Sequence, residues 1–157
     1  MSDLTWILLI AATAFSGVLA GASLDQSIKQ LPARHRLGAV TYSAYAQAAD
    51  LGSGLIWYIV LGIGTLILTL GAAIAALANH MPANDALPVV LAAGLAILHS
   101  LATTQAAPTM FSQRKHLNDE AALTAIFNRF ERWQTLRAFL QALTFAALLW
   151  ALVVYGR

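Results

Sequence analysis

The chain contains no cysteine, which excludes disulfides, thiolate nucleophiles, iron–sulfur clusters and cysteine-ligated zinc. Charge is nearly as scarce. Only 10% of the 157 residues are Asp, Glu, Lys or Arg, where a soluble domain carries about a quarter. Against this, 59% are hydrophobic and the mean hydropathy is +0.69. So little charge cannot cover a water-soluble globule, and the composition specifies an integral membrane protein. Lys and Arg are missing ahead of the first apolar run, whose leading charge is Asp3. A secretory signal needs a basic leader, so this run is expected to be a retained span. No glycine-rich phosphate loop, nucleophile elbow or paired carboxylates within an apolar run is present. No aromatic-basic module for nucleic acid is present either, and no such partner is expected.

What the chain does have is long apolar runs. Crossing about 30 Å of hydrocarbon takes roughly 20 helical residues, and four stretches qualify, at about 5–23, 54–77, 88–107 and 136–155. They predict one all-α domain over 1–157, with two transmembrane hairpins in an antiparallel four-helix bundle. Eight of the nine cations lie in or beside the connections 24–53 and 108–135: Lys29, Arg34, Arg36, Arg114, Lys115, Arg129, Arg132 and Arg137. The positive-inside rule puts those connections in the cytoplasm and both termini on the other side, in a multi-pass protein of a bacterial inner membrane. The same basic face is expected to meet anionic membrane lipids. A shift of 81 residues lays His35 on His116, Gln47 on Asn128 and Asp50 on Glu131, the mark of a duplicated hairpin.

Local punctuation refines the picture. Gly17 and Gly21 form a small-xxx-small pattern that serves intrachain packing or homodimerisation. Residues 37–50 form a mildly amphipathic helix with Tyr42 and Tyr45 one turn apart. Asn84 or Asp85 is expected to cap the third span, Pro88 to sit in its first turn and Pro108 to end it. The glycines at 52, 54, 62, 64 and 71 call for tightly packed neighbours around the second span.

Polar groups crowd one end of the spans. Asp25, Asp50, Gln105, Arg137 and Gln141 stand at that edge, with His99, Thr103 and Thr144 deeper. Trp133, Arg137, Gln141 and Thr144 share one helical face by their spacing. The asymmetry predicts a cavity open to the cytoplasmic leaflet and floored by His99, with Arg137 paired to Asp50 or Asp25 at its mouth. His99 serves either as a general base or as a neutral ring bonded to Thr103 or to a carbonyl one turn back. It has no His, Asp or Glu three or four residues away, so neither a metal nor another cofactor is expected.

The motif Arg132-Trp133-Gln134-Thr135-Leu136-Arg137, with Gly17 and Gly21 ahead of Pro32 and the exit at Pro108, resembles the four-helix integral membrane family that includes the fungal anthrone oxygenases and many bacterial proteins. That family typically has Asn or His shortly after the tryptophan, where this chain has Gln134 and Thr135. The resemblance implies a pocket for a flat hydrophobic aromatic, oxidised without metal or flavin. His99 would then take a proton from carbon, Arg137 and Gln141 would stabilise the oxyanion, and Thr103, Asp50, Trp133 and Thr144 would line the pocket. The competing expectation is a non-catalytic accessory subunit, packed against a larger membrane complex or its own copies.

Overall fold

The computed structural model describes residues 3–157, and all regular structure among them is helical. There are six α-helices: α1 (Asp3–Asp25), α2 (Leu31–Leu37), α3 (Ala39–Ala48), α4 (Gly54–Ala78), α5 (Ala83–Ser112) and α6 (Glu120–Tyr155). Wide π-helical turns at Gln26–Gln30 and Ala49–Ser53 splice α1 to α2 and α3 to α4. The result is four continuous rods, Asp3–Leu37, Ala39–Ala78, Ala83–Lys115 and Glu120–Tyr155, each long and apolar enough to cross a membrane. The protein is a multi-pass membrane protein. At 1.5 Å per residue the rods are roughly 50–60 Å long, well beyond the hydrocarbon thickness, so they extend past it.

Side-chain size is sorted as lipid demands. Large aliphatics face outward, among them Ile7, Ile56, Ile67, Ile74 and Val153, while Ala12, Ala72, Ala76, Ala92 and Ala151 are buried. Lipid is as apolar as leucine, so helices associate through close backbone approach rather than hydrophobic exclusion. Gly17 is one such approach: a β-carbon there would lie 2.9 Å from the Phe145 ring. Each long helix packs on two others, α1 on α4 and α6, and α5 on α4 and α6. One apolar cluster, with Leu9, Ala72, Val89 and Leu148, closes the end of the bundle near the α4–α5 turn. A second, with Leu31, Tyr42, Met110, Leu123, Phe127 and Phe130, joins α2, α3, the end of α5 and the start of α6 into a cap at the opposite end.

Several connections differ from expectation. Residues 24–53 are almost wholly helical, and α6 begins at Glu120, well before the apolar run at 136. Pro108 lies inside α5, which continues to Ser112. Packing on α6 holds the helix together there, while the hydroxyls of Thr104, Thr109 and Ser112 bond the carbonyls of Leu101, Gln105 and Thr109 rather than the Thr104 carbonyl that Pro108 leaves without an amide. Neither Asn84 nor Asp85 caps α5. The helix starts at Ala83 after Pro82, with the Asp85 and Ala86 amides bonded to the Pro82 carbonyl, and Pro88 falls beyond the first turn. Tyr42 and Tyr45 divide, Tyr42 buried edge-on against Phe127 and Tyr45 exposed.

The 81-residue offset has a physical counterpart. The rods break at Gly38 and Asp119, one offset apart, and Glu120 caps the helix that starts at Ala39. Its carboxylate accepts from the amides of Ala39 (2.6 Å) and Val40 (3.0 Å). Gly38 has φ +81° and ψ 154°, a conformation essentially reserved for glycine. Gly38→Ala is expected to cost on the order of 1–3 kcal/mol, read as a lower melting temperature in detergent. Between α3 and α4, Gly52 departs from helical geometry, and a β-carbon on Gly54 would stand 2.6 Å from the Ala49 carbonyl oxygen. These two glycines set the angle at which Asp50 is presented.

Candidate functional site: a cavity between the four long helices

Between the two apolar clusters the bundle leaves a cavity of about 380 Å³. All four long helices contribute to its wall. From α1 and the turn after it come Ser23 and Gln26, from the α3–α4 junction Asp50, from α4 Tyr58, from α5 His99, Ser100 and Thr103, and from α6 Arg137.

His99 is buried on α5, and its Nδ1 lies 3.1 Å from the backbone carbonyl of Arg137 on α6. A carbonyl only accepts, so Nδ1 carries the hydrogen. The ring's basic lone pair is therefore on Nε2. The Thr103 hydroxyl donates to the His99 carbonyl (2.9 Å), not to the ring, so the imidazole is oriented from α6 rather than from its own helix. Ser100 likewise turns its hydrogen to the Ala96 carbonyl. Both α5 hydroxyls thus face the cavity as weak acceptors.

The expected Arg137–carboxylate pair is absent. Among the described residues Arg137 makes no ion pair; its Nη1 donates to Gln134 Oε1 (2.8 Å) and its Nε is buried without a partner. Gln134 is itself anchored, donating from Nε2 to the Ser23 carbonyl (3.3 Å). A neutral amide therefore holds the guanidinium in place, and its charge remains available. Asp25 is engaged elsewhere, by Lys29 and by Gln30 Nε2 (2.7 Å). Asp50 accepts from Gln26 Nε2 (3.0 Å) across the two π-helical turns, which face each other at this level. Such turns occur disproportionately at functional sites, because they swing side chains out of helical register.

Of the residues singled out in the sequence, the cavity wall gathers His99, Arg137, Asp50 and Thr103. The other three lie elsewhere. Trp133 packs against the cap cluster. Gln141 is buried against α1, donating to Ser16 Oγ (2.9 Å) and to the Ser16 carbonyl (3.2 Å). Thr144 is buried and returns its hydroxyl to the Leu140 carbonyl. Residues not anticipated are Ser23, Gln26 and Tyr58 in the wall and Gln134 behind it. The first two follow Leu19 at helical spacing, though for Gln26 that signal is visible only if the chain is known to stay helical past Asp25. Among the described residues no group of three His, Asp or Glu is placed to hold a metal ion. Comparison with family models, with curated proteins and with solved structures returned no match.

Proposed function

We propose that this cavity binds a flat, hydrophobic aromatic ketone with an acidic C–H, of the anthrone type, and oxidises it with molecular oxygen. The observation that carries the proposal is the pairing of His99 with Arg137: one carbonyl orients the imidazole, and the guanidinium beside it has no carboxylate to neutralise it. In this reaction Nε2 of His99 takes a proton from the ring CH₂, and Arg137 stabilises the charge that moves onto the ketone oxygen. The carbanion adds O₂, the resulting peroxide takes back a proton, and loss of water leaves a carbonyl. Overall CH₂ and O₂ become C=O and H₂O, and no redox cofactor is consumed. The volume lies within the range of about 300–1,000 Å³ usual for small-molecule sites.

In the membrane, the proposal places two hairpins of the same orientation side by side in an antiparallel four-helix bundle, the cap in the cytoplasm and both termini on the far side, in a bacterial inner membrane. The basic residues of the cap, Arg114, Lys115, Arg129 and Arg132, support that orientation and a contact with anionic lipid. The resemblance of the Arg132–Arg137 motif to the anthrone oxygenase family points to the same chemistry. The test is oxygen consumption by the purified protein in liposomes given anthrone. The expected result is enzyme-dependent uptake with one O₂ consumed per anthraquinone formed. Uptake no faster than in protein-free liposomes overturns the proposal.

A further inference from the structure

Polar groups reach the cavity from every long helix, and its two sides differ instead in how their helices are joined. Gln26 and Arg137 belong to the α1–α6 side, where Gln134 bonds to Ser23 and Gln141 to Ser16, lacing the two helices together. The α4–α5 side is built differently. Among the described residues no side-chain hydrogen bond joins α4 to α5 around the cavity, and beside Tyr58, His99 and Thr103 the wall there is apolar, with Ile59, Ile63 and Leu66. Ile59 and Ile63 are also about half exposed on the outer surface, at 48% and 54%. A side chain that lines a cavity and also faces outward marks an opening, and this one lies on the lipid-facing side of two long apolar helices. Toward the α4–α5 turn the same seam is closed by Ala72, Ala73 and Ala76 against Val89, Ala92 and Ala93.

Gly62 stands on α4 between these isoleucines and lines the cavity, and a β-carbon built on it meets nothing within 4 Å. Gly64, two residues on and so on roughly the opposite face of α4, is different, since a β-carbon there would lie 2.6 Å from the Phe15 ring. Packing therefore requires Gly64 to be glycine but makes no such demand at Gly62. A mid-helix glycine costs roughly 0.5–1 kcal/mol relative to alanine, a cost that no packing contact at Gly62 offsets.

We infer that the cavity is loaded sideways from the bilayer, between α4 and α5, and that Gly62 sets the bore of that opening. The ligand is then a membrane-dissolved molecule whose polar atoms meet Arg137, His99 and Asp50 while its apolar body lies toward the seam. This inference rests on the cavity being a binding site, as proposed above.

The absence of cysteine allows a single thiol to be placed and spin-labelled. The protein carrying Gly62→Cys, labelled and set in phosphatidylcholine liposomes, is probed by collision with dissolved O₂, which concentrates in lipid, and with the water-soluble chelate nickel ethylenediaminediacetate. Ile67→Cys, on the exposed face of α4, and Lys115→Cys, exposed on the cap, serve as lipid and water references. The expected result at position 62 is a collision ratio like that at 67, dominated by O₂. A nickel-dominated ratio, or low collision with both, overturns lateral loading. In parallel, Gly62→Ala and Gly62→Leu are expected to keep or raise the melting temperature while anthrone-dependent uptake falls stepwise, by about tenfold or more for leucine. Full uptake in Gly62→Leu overturns the role given to Gly62. Absence of uptake in the unmodified protein instead overturns the proposed oxidation, and the collision ratio still decides the route.

Discussion

A His99→Gln variant is expected to lose anthrone-dependent oxygen uptake by about 10²–10⁴-fold, the usual contribution of a positioned general base. Glutamine is the informative replacement. Its amide can still donate to the Arg137 carbonyl that the His99 Nδ1 now meets at 3.1 Å, so the tie between α5 and α6 is retained. What disappears is the basic lone pair on the second ring nitrogen, since an amide oxygen does not take a proton from carbon. Melting temperature is therefore expected to move little while turnover collapses. Equal loss of folding and uptake would reduce His99 to a packing residue. Unchanged uptake would remove it from the chemistry.

The largest expected effect on stability lies in the cap. Phe127 has no exposed surface and stands edge-on to Tyr42, with ring centroids 4.9 Å apart and planes at 82°. Around it are Leu31, Leu123, Met110 and Phe130, drawn from α2, α5 and α6. Phe127→Ala should cost about 3–5 kcal/mol, the lost transfer energy of the ring plus the cavity left behind. Phe139 on the same helix is the control, 60% exposed on the lipid-facing surface. Lipid replaces a phenyl ring there without penalty, so Phe139→Ala is expected to change stability by less than about 0.5 kcal/mol. Thermal unfolding of both variants in one detergent checks the pair. Because Phe130 and Leu51 belong to both the cap cluster and the cavity wall, Phe127→Ala should also weaken ligand retention, whereas Phe139→Ala should not.

A second tie in the cap has a more modest expectation. Arg34 is buried and donates to Asn128 (2.7 Å) and Glu131 (2.6 Å), joining α2 to α6, with its remaining nitrogens unpartnered. Glu131 is partly exposed, so water recovers much of its charge once the arginine is gone. Arg34→Met, which keeps the buried volume without the charge, is expected to be close to neutral in thermal unfolding, and Arg34→Ala clearly destabilising.

The four spans were legible because hydropathy over twenty residues depends on composition alone, and packing cannot override it. His99, Arg137, Asp50 and Thr103 were legible for a related reason, since a polar group in an apolar run must face other protein or a cavity. The helical connections were not. A π-helical turn such as Ala49–Ser53 leaves no compositional trace, and a proline such as Pro108 need not end a helix that packs along a neighbour. Helical periodicity placed Trp133, Gln141 and Thr144 on the face of Arg137. Over three turns that face passes from the cap cluster to the cavity and then to α1, so residues sharing a stripe meet different surroundings. The partner of Arg137 was beyond the sequence as well. A long side chain chooses between Asp50 and Gln134 by tertiary distance, and the nearer group is the amide one turn away on its own helix.

The central claim is that the cavity holds a hydrophobic aromatic molecule, and native mass spectrometry of the protein tests it most directly, after extraction from its own membranes in the mildest effective detergent. The expected result is a monomer or small homo-oligomer carrying an aromatic small molecule, with that mass lost in Gly62→Leu. A larger complex of fixed stoichiometry, with the chain carrying no small molecule, contradicts the claim and makes this protein an accessory subunit.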